Sequence, residues 1–159
     1  MKEAAERGPG IFLRPPLIFA FTIVGGLLLQ RLRPLLIAPP GAVFGLRVAG
    51  WLLMALGSAL AVWALMALLR VGTSPIPLRP TRALAASGPY RFSRNPMYAG
   101  MTVVCVGIAL TVNTVWLLAA LVPALLLLRS AVIAKEERYL SERFGEAYRD
   151  YCARVRRWL

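Results

Sequence analysis

At 159 residues, with 58% apolar side chains and 16% charged ones, the chain is long enough for one compact domain, yet its apolar residues gather into runs that a water-soluble core does not need. It has no histidine and only two, widely separated cysteines, which excludes a histidine-based triad and a zinc site built on paired cysteines. A formal net charge of +12 has to be accounted for by where the basic residues fall.

In chain order, Lys2 and Arg7 precede an apolar stretch, Leu17 to Leu29, of 13 residues. That is short for a crossing, so the first span is expected to borrow Leu32, Leu35 and Leu36 while Arg31 and Arg33 snorkel outward. A cleaved leader would look similar, but no small-x-small pattern follows Leu29, and Arg31 to Pro40 reads as a short loop. Val48 to Leu69 supplies 22 residues without a charge. As helix these make about 33 Å, which matches a hydrocarbon core of about 30 Å.

The connector from Val71 to Pro96 holds Pro75, Pro77, Pro80 and Pro89 with Gly72 and Gly88, and therefore cannot be one helix. A loop of that length reads as a functional wall. Met97 to Leu128 then gives 32 uncharged residues, about 48 Å as helix and too long for one crossing. Asn113-Thr114 near its middle predicts a turn and a helical hairpin. From Ser130 onward the chain becomes a charged helix with Leu140, Phe144, Tyr148, Tyr151, Val155 and Trp158 on one face and Arg138, Arg143, Arg149, Arg154, Arg156 and Arg157 around the rest. This stripe fits an interfacial anchor, a lid over a site, or both. Cys105 reads as a packing residue, and neither a disulfide nor a metal site is expected.

The predicted fold class is all-α: a polytopic membrane protein with about four transmembrane helices and a C-terminal amphipathic helix. Four crossings put residues 1–16, 70–96 and 129–159 on one side, carrying three, five and eight of the 19 Lys and Arg, together with all seven acidic residues. Only Arg31, Arg33 and Arg47 fall on the other. The positive-inside rule then places both termini in the cytoplasm, as in a bacterial inner membrane. The charge is explained by topology and by membrane lipids with anionic headgroups, so no nucleic-acid partner is expected.

Two polar blocks flank the hairpin and would meet in space: Gly88 to Gly100, and Glu136-Glu137 with Leu140, Phe144-Gly145, Tyr148 and Tyr151. Together they resemble the integral-membrane methyltransferases that include isoprenylcysteine carboxyl methyltransferase and phospholipid N-methyltransferases, whose signature reads roughly G-x-Y-x-x-x-R-H-P-x-Y-x-G, then E-E-x-x-L-x-x-x-F-G-x-x-Y-x-x-Y. The resemblance covers roughly Thr73 to Val155, with Asn95 where the pattern has histidine. It implies an S-adenosylmethionine cofactor, contacted by Tyr90, Asn95, Pro96, Met97, Tyr98, Glu136 and Glu137, with Arg82, Ala83, Leu84 and Ala85 lying against it.

Read from the residues themselves, Glu136 and Glu137 sit where a helix leaves the membrane, a costly place for a carboxylate without a partner. Adjacent helical residues point about 100° apart. Glu136 is therefore expected to face the cofactor and Glu137 to pair with a loop arginine such as Arg94. Asn95-Pro96 is a good helix start by its own chemistry, an N-cap residue before proline. Arg129 lies seven residues before Glu136, two turns away on the same helical face, and is a catalytic candidate with it. In carboxyl-methylating relatives an arginine one turn before the first glutamate orients the substrate; here that position is Val132.

The expectation is a single domain, residues 1–159, with 1–70 forming two helices and 71–159 the cofactor site. Its activity would be methyl transfer to a lipidic or small apolar acceptor bearing a carboxylate, amine or thiol. A membrane reductase using NADPH, related to sterol reductases and drawing on Arg79 and Arg82, is the first alternative. A non-enzymatic membrane scaffold is the second.

Overall fold

The computed structural model describes residues 14–73, 81 and 83–158. All regular structure among them is helical: α1 (Pro15–Leu32), α2 (Val43–Arg70), α3 (Pro96–Val112), α4 (Val115–Leu127), α5 (Ala134–Phe144) and α6 (Glu146–Arg154). Single helical turns at Pro40–Ala42 and Gly88–Arg91 lead into α2 and α3, and a widened segment, Leu128–Ile133, joins α4 to α5. Three stretches are long and apolar enough to cross a bilayer, Pro15–Leu32, Pro40–Arg70 and Val115–Phe144, and Pro96–Val112 is a shorter apolar helix of 17 residues. At about 25 Å, that helix is at the lower limit for a crossing.

The helices form two antiparallel pairs. In one, α2 and α3 approach until backbone meets backbone: a Cβ placed on Gly57 would lie 2.6 Å from the Gly100 carbonyl, and one on Gly50 2.6 Å from that of Gly107. The two glycines are seven residues apart on each helix, so both contacts fall on one seam. In hydrocarbon, lipid tails are as apolar as leucine, and close backbone packing is what favours association. In the other pair α1 lies on α4, where a Cβ on Gly26 would meet Leu117 Cα at 2.8 Å. Leu117, Leu128, Val132 and Ile133 are fully buried, and Cys105 is the packing residue the sequence implied.

The hairpin turn falls where the uncharged run required it. Asn113 takes the left-handed conformation (φ 58°), one of the few that asparagine tolerates better than other non-glycine residues. Its side chain accepts from the backbone N–H groups of Ile37 (3.0 Å) and Ala38 (2.9 Å) and donates to the Ala38 carbonyl (2.8 Å). This ties the hairpin to the α1–α2 loop. Thr114 donates to Gln30 Oε1 (2.8 Å), and Trp116 donates to the Arg33 carbonyl (2.6 Å).

Two expectations are corrected here. The first span needs no help from Leu35 and Leu36: α1 ends at Leu32, and Leu35 already belongs to the loop, its carbonyl accepting from Val115 N–H. The charged tail is not one helix. Gly145 (φ 54°) breaks it into α5 and α6, and Val155 is extended. Tyr148, Tyr151 and Val155 still cluster with Leu140 and Phe144, whereas Trp158 leaves that face and packs against the cluster of Tyr98, Val132 and Ile133.

Candidate functional site

The loop that enters α3 is shaped before any function is asked of it. Gly88 has φ 60°, and a Cβ there would lie 3.3 Å from Trp63 Nε1, so the turn demands glycine twice over. Pro89 and Tyr90 are buried in the following turn, and Pro96 opens α3 at its first position. The helix starts at Asn95-Pro96 as expected, but Asn95 does not cap it through its side chain. Its backbone N–H donates to Ser93 Oγ (3.1 Å), and its side-chain amide donates to the carbonyl of Arg157 (3.0 Å). Asparagine here thus ties the loop to the chain's tail rather than to its own helix.

The adjacent glutamates of α5 have opposite surroundings. Glu137 is paired by Arg94 Nη1 at 3.1 Å and by Arg157, whose Nε lies 3.0 Å from Oε1 and whose Nη2 reaches Oε2. The Arg94 pair is the one expected from sequence. Glu136 is half-buried and accepts one hydrogen bond among the described residues, 2.7 Å from the Tyr98 hydroxyl, with no arginine or lysine in ion-pair range among them. One carboxylate is neutralised within the protein; its neighbour is held in place with no counter-charge among the described residues.

Tyr90 stands beside this carboxylate. Burial, then the charge of Glu136 and the neighbouring Tyr151, push its phenol well above the ordinary tyrosine value, so it stays protonated. Its hydroxyl makes no hydrogen bond with a described residue. Its backbone carbonyl accepts from the Tyr151 hydroxyl at 2.8 Å, and Tyr151 is itself pushed up to about 12 by burial, with Arg94 opposing. Arg94 also donates to Cys152 Sγ (2.9 Å); burial opposes its charge, but Glu137 and Cys152 outweigh that and raise its pKa.

The tail completes the wall. The Arg156 carbonyl accepts from Arg94 N–H (2.9 Å), and the Arg157 carbonyl accepts from Ser93 Oγ (3.3 Å) as well as from Asn95. On the opposite side, Thr73 Oγ1 donates to the Ala83 carbonyl (2.8 Å) and accepts its N–H (3.2 Å), closing the connector onto the end of α2. The Tyr139 hydroxyl accepts from Thr81 N–H (3.1 Å), and Arg143 Nε donates to the Thr81 carbonyl. Ala85 packs with Tyr90 and Met97, and Leu84 with Tyr148 and Tyr151. The structure therefore brings together Ala83, Leu84, Ala85, Tyr90, Asn95, Pro96, Met97, Tyr98, Glu136 and Glu137. Arg82, like Arg79, lies outside the described residues.

Arg129 is not part of this group. The widened segment Leu128–Ile133 takes an extra residue per turn, so seven residues no longer make two turns, and the shared face expected for Arg129 and Glu136 is lost. Arg129 is exposed, while Val132, the position of the substrate-orienting arginine in carboxyl-methylating relatives, is fully buried beside Tyr98.

With this geometry in place, the phospholipid methyltransferase family model matches residues 46–147, from the start of α2 into α6. The chain belongs to the phospholipid methyltransferase family. The match takes in both polar blocks through Gly145 and extends further toward the N-terminus than the motifs do, covering the glycine seam of α2 and α3. It stops short of Tyr148, Tyr151 and Arg157, the tail residues that close on the site. No curated protein and no solved structure matches the chain. Membership in a methyltransferase family, with helices apolar enough to span a bilayer, makes this an integral-membrane methyltransferase fold.

Several residues that build the site carry no sequence signal of their own. Arg157 is one of six arginines in the tail, and nothing in its spacing marks it as the partner of Glu137. Ser93, Cys152 and Trp158 act through tertiary contacts across more than fifty residues of chain. The glycine pairs had a readable sign, the seven-residue spacing within each apolar run.

Proposed function

We propose that the chain transfers a methyl group from S-adenosylmethionine to a lipidic acceptor at the cytoplasmic membrane surface, residues 1–159 acting as one domain with the cofactor site in residues 71–159. The observation that carries this reading is the split between the two glutamates, since a carboxylate fixed by Tyr98 with no cation from the described residues suits a positively charged ligand. The side chains present fit the cofactor: a carboxylate for its cationic groups, a protonated Tyr90 hydroxyl without a described partner for a polar edge, and the apolar faces of Ala85, Met97 and Tyr90 for a flat ring. When bound, the cofactor supplies an electrophilic methyl group on a sulfonium.

The chain's contribution is positional. Tyr98 fixes the Glu136 side chain, and Arg94 with Arg157 keeps Glu137 from competing for the same ligand. The tail from Val155 to Trp158 covers the loop and limits water. Displacement at a methyl carbon depends on alignment and a dry pocket rather than on a strong acid or base, in keeping with a chain that has no histidine. With Val132 buried and Arg129 exposed, a carboxylate acceptor lacks its orienting arginine, and an amine or thiol acceptor is favoured.

Calorimetric titration of the detergent-solubilised protein with S-adenosylmethionine, S-adenosylhomocysteine and NADPH tests the reading. Binding of the first two is expected, and binding of NADPH alone would replace it with the reductase. Binding of none would leave the scaffold. Reporters fused before Met1 and after Leu159 are both expected to report cytoplasm, and a signal from the other side at either end would reverse the assigned face.

A further inference from the structure

The far end of the bundle, about 25 Å along α3 from the glutamates, holds an open groove that the methyl-transfer reading does not use. It has a volume of about 390 Å³ and is lined by Val24, Leu27, Leu28, Gln30, Arg31 and Val112. That volume is in the range of small-molecule sites. Val24, Leu27, Leu28 and Arg31 recur at helical spacing and form one stripe of α1, apolar along the span and cationic at its end.

The polar rim is built rather than incidental. Gln30 Oε1 is occupied as an acceptor by Thr114 Oγ1 (2.8 Å) and by Leu35 N–H (3.0 Å), which fixes the amide. Its Nε2 donates to no described residue, and Arg31 forms no ion pair among them. Arg31, Arg33 and Arg47 are the charged residues of this end, and the described acidic residues, Glu136, Glu137, Glu142, Glu146 and Asp150, lie on α5 and α6 at the other. Two donors therefore stand at the mouth of an apolar groove with no anion from the described chain to meet them.

We propose that this groove is a binding site for an anionic phospholipid of the opposite leaflet, an acyl chain lying along Val24, Leu27, Leu28 and Val112 and the phosphate held by Arg31 and the Gln30 amide. The apolar stripe continuous with the cation favours a lipid over a free phosphate, since a soluble anion gains nothing from Val24 and Leu28. The site is separate from the acceptor site near Glu136 and does not depend on the methyl-transfer reading.

The test is retention of added phosphatidylglycerol or phosphatidylcholine by the purified full-length protein in neutral detergent, read by native mass spectrometry, with inorganic phosphate as a third probe. Both lipids carry the phosphate, but the choline ammonium of phosphatidylcholine cancels the net charge that Arg31 meets, so phosphatidylglycerol is expected to be retained roughly tenfold better. Arg31→Gln should remove that preference, and Leu28→Trp, which fills the groove without changing charge, should reduce retention of both lipids. Arg33→Gln removes the same charge from outside the groove and should leave the preference intact. Equal effects of Arg31→Gln and Arg33→Gln would overturn the proposal in favour of diffuse attraction. Equal retention of the two lipids by the unmodified protein, or displacement of phosphatidylglycerol by millimolar phosphate, would overturn it as well.

Discussion

The two ends of the bundle treat their polar groups in opposite ways. At the hairpin end Asn113 makes three hydrogen bonds to backbone, Thr114 and Trp116 one each, and the result is a latch that closes one loop onto another. At the motif end Glu136 makes one hydrogen bond and the Tyr90 hydroxyl none with a described residue, although Tyr90 is buried and Glu136 half-buried. Polar groups inside a protein are costly unless paired. A latch that is paired internally is architecture; polar groups held in place and left open are ready for a ligand.

This contrast can be broken by experiment. The largest effect is expected from truncation after Gly145, which removes Tyr148, Tyr151 and the Arg157 contacts to Asn95 and Glu137: the protein should still insert but lose more than about 100-fold in S-adenosylmethionine affinity, by loss of at least two buried hydrogen-bonded contacts. Full retention of affinity in detergent would reduce the tail to an anchor. Asn113→Ala should cost about 3 kcal/mol of thermal or denaturant stability while leaving affinity in the folded fraction unchanged. A loss of affinity in place of stability would show that the latch belongs to the site.

Glu136→Gln keeps the shape and removes the charge, and should weaken cofactor binding by roughly 10 to 150-fold, about 1.5 to 3 kcal/mol, with the melting temperature unchanged. Lowered stability with unchanged affinity would make Glu136 a structural residue. Tyr90→Phe should have the smallest effect, roughly 2 to 10-fold in affinity. Because Tyr90's folded pKa is raised, its hydroxyl stays neutral through the physiological range, and the ratio between the two proteins should be the same at pH 6 and pH 9. A ratio that changes with pH would mean that this phenol, or the Glu136 carboxylate beside it, changes charge in that range.

Much of this was legible in the sequence because the membrane imposes simple arithmetic. An uncharged run of 32 residues must turn, and it does so at Asn113. Two adjacent helical carboxylates must face different ways, and Glu137 takes Arg94 while Glu136 takes Tyr98. What stayed hidden lay where local rules are overridden by distant partners. Asn95 has every local reason to cap α3, yet the Arg157 carbonyl engages its side chain instead. The periodicity of the tail continues through Gly145, but glycine there permits a backbone no helix has. The widened turn at Leu128–Ile133 leaves no trace in the sequence, and it turns Arg129 off the helical face of Glu136.

The glycine seam between α2 and α3 divides the protein into a part that tolerates change and a part that does not. Where backbones touch at Gly50–Gly107 and Gly57–Gly100, no choice of side chain can adjust the spacing, because any side chain is too large. Trp63 and Ala64, against which the Gly88 loop and Tyr90 rest, are thereby held at a fixed distance from Tyr98. The α1 and α4 pair has a single such contact, at Gly26, and exposes Leu17, Phe21, Val24, Leu28, Val122 and Leu126. Drift in sequence can therefore accumulate on the lipid-facing side chains of that pair, reshaping what approaches from the bilayer, while the spacing of α2 and α3 keeps its dimensions.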